Sequence, residues 1–397
     1  MRRQTLTILA CLTLGALASI SAQDLTITNA RIIAPNGAVI ERGSIVVRAG
    51  KIVSVAPGVP SAASGQTPGG KSIDAKGMTA MSGFIDAHRH INTGPDEKQQ
   101  MQALLEAGYT TILSGGGPAE GNIALRDHIE NGLINGPRII PSGSLRLNNN
   151  TPETARAEIR KMAAMGIKFT GEIALTPVPG PSEQEMEVLR AILDEAKKVG
   201  VMVQVHAVST PAMMAAVDAG VPLLVHLPNK DWTSKEDAKR LAASGTKILA
   251  TIGFGAPVFG VFAEDNKPRF RNGKPWPESI DGGIRLGEEA GYMPVNARTV
   301  SDAGAILGYC TDTTYEPKAG LEHELKSFNL MFSMRDMIQI MGPNTASYIQ
   351  MGDQLGTLEA GKLADLILID GDPLEGYWNW LKTKVVVKGG KVVVDKR

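Results

Sequence analysis

Residues 83–94 read GFIDAHRHINTG, a short apolar run that ends on two imidazoles with Arg89 between them. On an extended strand alternate side chains share a face, so His88 and His90 point one way and Arg89 the other. Two imidazoles so placed can grip one metal ion, and a bound metal makes water acidic enough to attack near neutral pH. Arg89 falls on the opposite face, where its stem packs and its charge reaches solvent or a partner. Alone, the pair reads equally as two polar histidines on a loop; the rest of the chain decides.

Outward from this stretch, short apolar runs alternate with helical periodicity, the pattern of βα units around a parallel sheet. Eight strands are expected, near 84–88, 109–114, 138–142, 167–172, 201–206, 222–226, 247–252 and 305–312. Met186, Leu189, Ile192, Leu193, Ala196 and Val199 recur at helical spacing just before the run VMVQVH. Eight units favour an α/β fold closed as a (β/α)8 TIM-like barrel over an open sheet. Barrel enzymes carry their chemistry at the C-terminal ends of the strands. His88, His90, Glu172, His206, His226 and Asp312 all fall at or just beyond such ends.

Both ends of the chain are β-rich, as in DLTITNARII and KVVVKGGKVVV, which suggests a small β-sandwich module assembled from the two termini. The expected organisation is a signal peptide over 1–22, sandwich strands over 23–80, a barrel over 81–352 and the remaining sandwich strands over 353–397. Arg2 and Arg3 followed by an uncharged run to Ile20 and small residues at Ser21 and Ala22 read as an export signal with cleavage near Ala22. The mature protein is expected to be soluble, without a membrane span, and periplasmic or secreted. Lipid attachment at Cys11 is disfavoured because the apolar stretch before it is short. Without Cys11, Cys310 has no disulfide partner, so packing must supply the stability. Lys plus Arg and Asp plus Glu both number 41, and this balance argues against a nucleic-acid partner and for a small-molecule substrate. Homo-oligomerisation is open.

Two metal ions held close together need a bridging carboxylate, and the run GIKFTGEIAL supplies candidates. Glu172 bridges directly; Lys168, four residues earlier, bridges only if carbon dioxide carboxylates it. Glu172 is the preferred reading. Asp312, in GYCTDTTYEP, is placed to bind metal and to accept a proton from water. Its competitor Asp302 precedes the last strand and belongs at the wrong end of the barrel. His128 and His323 sit among charges on expected surface helices and are assigned to structure or solvent. The stretch 253–300 reads as a long loop in which Phe259, Phe262, Phe270 and Trp276 line a substrate wall or an exposed excursion, with Arg269, Arg271 and Lys274 as cations for a substrate carboxylate.

Taken together these positions resemble the amidohydrolase superfamily of metal-dependent hydrolases, along nearly the whole mature chain. GFIDAHRH resembles its first-strand motif, and the segment from MGPNTASY to LILIDGDPL its return to the sheet module. GIKFTGEIAL followed by VMVQVHA and LLVHLPN is most similar to the enamidase-like group, with Lys168 the nearer match to the prolidase- and imidazolonepropionase-like group. The resemblance implies His88 and His90 on a buried metal, His206 and His226 on a more exposed one, Glu172 or modified Lys168 as bridge, and Asp312 as ligand and general base. Arg89 departs from the small residue usual between the two histidines. Two divalent metals are implied, zinc first, with iron, manganese or nickel suiting similar ligands. The expected reaction is hydrolysis of an amide or cyclic-amide C–N bond by metal-activated hydroxide. A lactonase is the near alternative; a deaminase is disfavoured because AVST follows His206 where a glutamate is usual. The contrasting class is a non-catalytic periplasmic binding protein.

Overall fold

The computed structural model describes residues 24–34, 36–60, 70–253, 284–312 and 316–397. The signal-peptide and Cys11 readings, and the aromatic and cationic residues expected to wall the site between 254 and 283, lie outside the described residues. Among the described residues no helix is long and apolar enough to cross a membrane.

The first part of the chain lays down β1 (Leu25–Ile33), β2 (Val39–Arg48), β3 (Lys51–Pro57), β4 (Lys71–Asp74) and β5 (Thr79–Ser82). The central strands are β6 (Phe84–Arg89), β7 (Tyr109–Ser114), β8 (Arg138–Ile140), β9 (Ser142–Gly143), β10 (Phe169–Ala174), β11 (Met202–His206), β12 (Leu223–Val225), β13 (Lys247–Ala250) and β14 (Leu307–Tyr309). The chain closes with β15 (Leu366–Ile369), β16 (Thr383–Lys388) and β17 (Lys391–Asp395). All pairings among the central strands are parallel: β6-β7-β8 form one sheet and β9 to β14 another. Beyond the last strand the backbone N–H of Asp312 donates to the carbonyl of His88 at 2.8 Å, tying the end of β14 to the end of β6.

The expected third strand is divided into β8 and β9 at Pro141, which has no N–H to give a ladder. Helices cover the parallel strands, so β7 is buried along its whole length. The helix Glu183–Val199 illustrates how the sequence sets these covers. Ser182 accepts from the Glu185 N–H while the Glu185 carboxylate accepts from the Ser182 N–H, a reciprocal cap on the first turn. Met186, Leu189, Ile192 and Ala196 bury one stripe, and Gly200 ends the helix in a left-handed conformation at φ 73. The chain is thereby delivered to β11.

Strands from both termini join in a single eight-stranded sheet ordered β17-β16-β15-β5-β1-β2-β3, with β4 beside β1. Period-two alternation divides its side chains between two cores. Leu366, Leu368, Val385 and Val387 pack with Leu25, Ile27, Ile32 and Ile45, whereas Ile367, Ile369 and Val386 join the core around the parallel strands. Trp380, fully buried, stacks on Phe84 with ring centroids 5.9 Å apart and so pins the C-terminal segment to the first parallel strand.

Two expectations need correction here. The helix Ile284–Asp302 occupies much of what reads as loop before 300. The helix Pro317–Phe328 is not a surface helix: His323 and Glu324 are both buried, and Glu324 accepts from the Gly253 N–H at 2.9 Å. Its charged composition disguises a helix enclosed on nearly every side. His128 is half-buried and pairs with Glu97 at 2.7 Å.

Candidate metal centre and active-site cleft

Six side chains from five strand ends meet in one cluster. One ligand atom each from His88, Glu172, His226 and Asp312 lie within 4.8 Å of one another. His88 Nε2 is 3.3 Å from Asp312 Oδ1 and 3.7 Å from Glu172 Oε2. His226 Nε2 is 3.2 Å from Glu172 Oε2 and 3.5 Å from Asp312 Oδ2. His90 flanks the group 3.0 Å from Asp312 Oδ1, and His206 flanks it 2.8 Å from Glu172 Oε2. Burial cuts across the pairing implied by the family resemblance. His88 and His226 lie deep, with side chains 0% and 6% exposed, whereas His90 and His206 are 42% and 29% exposed and face the cleft.

The backbone works to achieve this convergence. His226 and Asp312 both adopt left-handed conformations, at φ 69 and φ 48, which cost a non-glycine residue roughly 1–3 kcal/mol. The Asp312 turn is held from behind by Asp86. This buried carboxylate accepts from the Thr311 N–H at 3.0 Å, the Thr311 hydroxyl and the His88 N–H. Arg89 completes the brace by donating to Thr311 Oγ1 at 3.0 Å, so its charge is buried and paired rather than carried to solvent. His226 Nδ1 meets Thr251 Oγ1 at 2.7 Å, which fixes the ring with Nε2 toward the carboxylates.

Electrostatics match the geometry. Burial alone would raise the Glu172 carboxyl, yet hydrogen bonds from His206 and His226 and the nearby His88 hold it far below the ordinary carboxylate range. For Asp312, burial is likewise outweighed by His226 and by the neighbouring His88 and His90. Burial lowers the His226 imidazole, and Asp312 raises that of His90. Both carboxylates are therefore anionic at neutral pH, and burial disfavours the charged form of His226.

Neither ring nitrogen of the wholly buried His88 has a hydrogen-bond partner. An unsatisfied buried nitrogen costs about 1–3 kcal/mol unless something takes its lone pair. Imidazole nitrogens facing anionic oxygens across a few ångströms are a donor set that suits a divalent cation. The residues present fit a metal.

A family profile described as the Amidohydrolase family matches residues 79–254 and 290–393. The chain belongs to the amidohydrolase family. Among curated relatives, the imidazolonepropionase of Caldanaerobacter subterraneus is 22% identical over 82% of this chain and 85% of its own length. A dihydroorotase of Mycobacterium tuberculosis is 22% identical over 76% of this chain and 80% of its own. Among solved structures, an Xaa-Pro dipeptidase with methionine in its active site aligns at TM-score 0.76, with 22% identity over 94% of this chain and all of that one. An ochratoxinase from A. niger aligns at TM-score 0.77, with 17% identity over 94% and 96% of the two chains. These structural likenesses speak to the amidohydrolase fold.

Lys168 does not join the cluster. The strand starts at Phe169, two residues later than the pattern suggests, and its register is irregular between Phe169 and Glu172. Lys168 is left exposed before the strand, some four residues, or ~13 Å, from the end that carries Glu172. Asp302 ends the helix Ile284–Asp302 and pairs with Arg298 at 2.7 Å, away from the cluster.

The cluster opens into a cleft of about 920 Å³, with Glu172 and His90 at its base. Its floor beside the cluster is the run Gly115-Gly116-Gly117, and the segment after β9 lines it with Ser144, Arg146 and Asn148. Gly115 lies so close to the cluster that a Cβ there would stand 2.8 Å from His88 Nε2. Sequence reading missed this glycine floor, although three consecutive glycines directly after a strand mark a close approach of backbone to something. It also missed Asp86, visible in GFIDAH, and Thr251 and Arg146, for which no local pattern exists.

Proposed function

We propose that this chain is a metal-dependent hydrolase of an amide or cyclic-amide C–N bond, with Asp312 carrying the proton. What supports the reading above all is the convergence of His88, His226, Glu172 and Asp312 around the unpartnered nitrogens of His88, at the base of an open cleft. His88, His90, His206, His226, Glu172 and Asp312 would hold the metal. Six donors exceed what one tetrahedral ion takes, which favours two divalent ions, zinc first, with Glu172 between them. Metal bound there would supply Lewis acidity, acidifying water and polarising the scissile carbonyl.

The chain's own groups do the rest. Asp312 is held anionic, so it can accept a proton from attacking water and return it to the departing nitrogen. His226, fixed by Thr251, keeps its Nε2 directed at both carboxylates. Arg89, Asp86 and Thr311 hold the Asp312 turn in the register that the proton transfer needs. The glycine floor leaves room for a planar amide against the cluster.

This reading takes the two parallel sheets as one closed (β/α)8 barrel, favoured by the Asp312–His88 backbone bond across the gap, and the terminal sheet as folded into a small sandwich. The N-terminal apolar run supports export to the periplasm or beyond. Metal analysis of the purified protein, with hydrolysis of dipeptides, N-acyl amino acids, lactams and lactones before and after chelation, tests the proposal. A folded, metal-loaded protein inert toward the whole panel, or one whose turnover survives complete metal removal, would refute it.

A further inference from the structure

Among the described residues four ionisable side chains line the cleft: His90, Arg146, Glu172 and Glu185. Three are committed. His90 faces Asp312, and Glu172 faces His206 and His226. Glu185 accepts from the Thr176 N–H at 3.0 Å, the Thr176 hydroxyl at 2.9 Å and the Ser182 N–H at 2.7 Å. Arg146 differs. It follows the short β9 strand, is exposed into the cleft, and forms no ion pair with any described residue. The loop that carries it is fixed: Asn150 donates its amide to the Arg146 carbonyl at 2.8 Å, and Leu145 and Leu147 on either side are buried. Its described neighbours along the loop, Ser144, Leu145, Leu147 and Asn148, are neutral. Ser144 Oγ accepts from the Gly117 N–H at 2.7 Å and keeps its own proton to donate, and the Asn148 amide lines the same wall.

A guanidinium left without a counter-charge in a cleft is matched by an oxyanion, and its planar fork fits a carboxylate with two parallel hydrogen bonds. We infer that the substrate carries a carboxylate and that Arg146 binds it while the scissile amide lies at the histidine cluster. Resting on the hydrolase reading above, this narrows the substrate to amides of amino acids, such as N-acyl amino acids, dipeptides or lactams bearing an acid group. Arg146 is a specificity-determining residue on the part of the cleft lining that follows β9. Among the described residues no hydrogen bond or ion pair joins its side chain to the metal-facing groups.

The test compares N-acyl amino acids and dipeptides with their C-terminal primary amides, measuring kcat/KM and the shift each gives in thermal unfolding of the metal-loaded protein. Wild type is expected to prefer acids about 10- to 100-fold, the effect of one charge-assisted contact. In Arg146→Met the acid-to-amide ratio should fall toward one through a raised KM, and Arg146→Lys should recover part of it. An equal preference in wild type, or a ratio that Arg146→Met leaves intact, overturns the inference while the hydrolase reading stands. If nothing is hydrolysed yet acids stabilise wild type and not Arg146→Met, the hydrolase reading fails and the carboxylate site stands. With neither hydrolysis nor stabilisation, both fall.

Discussion

Replacing Gly115 by alanine isolates the role of the glycine floor, because the backbone there does not need glycine's left-handed freedom and the penalty is purely steric. An added Cβ would lie 2.8 Å from Nε2, 2.9 Å from Cε1 and 3.1 Å from Cδ2 of His88. Ordinary contact begins near 3.4 Å, so the imidazole must retreat by about 0.6 Å. It has nowhere to go, being wholly buried. Metal sites tolerate displacements of ~0.2 Å in a ligand, a third of this movement. Overpacking of a tight interior also costs about 1–3 kcal/mol. Gly115→Ala should therefore fold with an unchanged far-ultraviolet spectrum, lose a few degrees of thermal stability, and bind metal at least tenfold more weakly. Metal content by mass spectrometry and a cobalt titration followed by absorbance measure this directly. If Gly115→Ala takes up the full complement of metal with wild-type affinity, His88 is not a ligand in the geometry described, and the metal centre must be redrawn.

Asp312→Asn should lower kcat by ~10²–10⁴ at saturating metal, the range of a lost general acid–base group, with circular dichroism confirming the fold. Thr251→Val removes the hydroxyl that orients His226 and should weaken metal binding by roughly 10- to 100-fold in the same cobalt titration, while the metal-free protein loses about 1–3 kcal/mol in denaturant unfolding because the buried Nδ1 is left without its partner. Trp380→Ala should cost about 3–5 kcal/mol in denaturant unfolding, since the ring is fully buried against Phe84. The metal-free protein should lose stability steeply below about pH 4. Glu172 and Asp312 are depressed in the folded state, so their contribution is complete above the ordinary carboxylate pKa and disappears as acid protonates them. Between about pH 7 and 5 the slope should be shallow. His226 is lowered and loses stability on acidification, whereas His90 is raised and gains it. Denaturant midpoints measured across this range distinguish a steep acid limb from a uniform slope.

Much of the site is legible in the sequence because parallel strands put chemistry at one end. Once the runs before His88, His206 and His226 are read as strands, their terminal residues share a rim whatever the intervening helices do. Lys168 shows the limit. Even spacing places it on the face of Glu172 only if the strand is regular and begins early, and β10 does neither. His323 and Glu324 show another, since charge along a helix marks a solvent face only when nothing covers it, and here Gly253 and the strand ends do. Arg146, Thr251 and Thr311 answer to no period at all; their roles exist only through partners far away in the chain.

The two left-handed residues explain why periodicity fails nearest the chemistry. His226 and Asp312 each lie beyond the last regular residue of their strands, so neither side chain points where alternation would send it. A bend of this kind is unfavourable on its own and persists only if its surroundings enforce it. At Asp312 those surroundings are the His88 carbonyl and the Asp86–Thr311–Arg89 brace, all but Thr311 drawn from the first parallel strand. Arg89, whose position between two histidines looks anomalous in the sequence, is thereby accounted for. The strand that presents His88 and His90 also carries, on its other face, the cation that locks Asp312 opposite them.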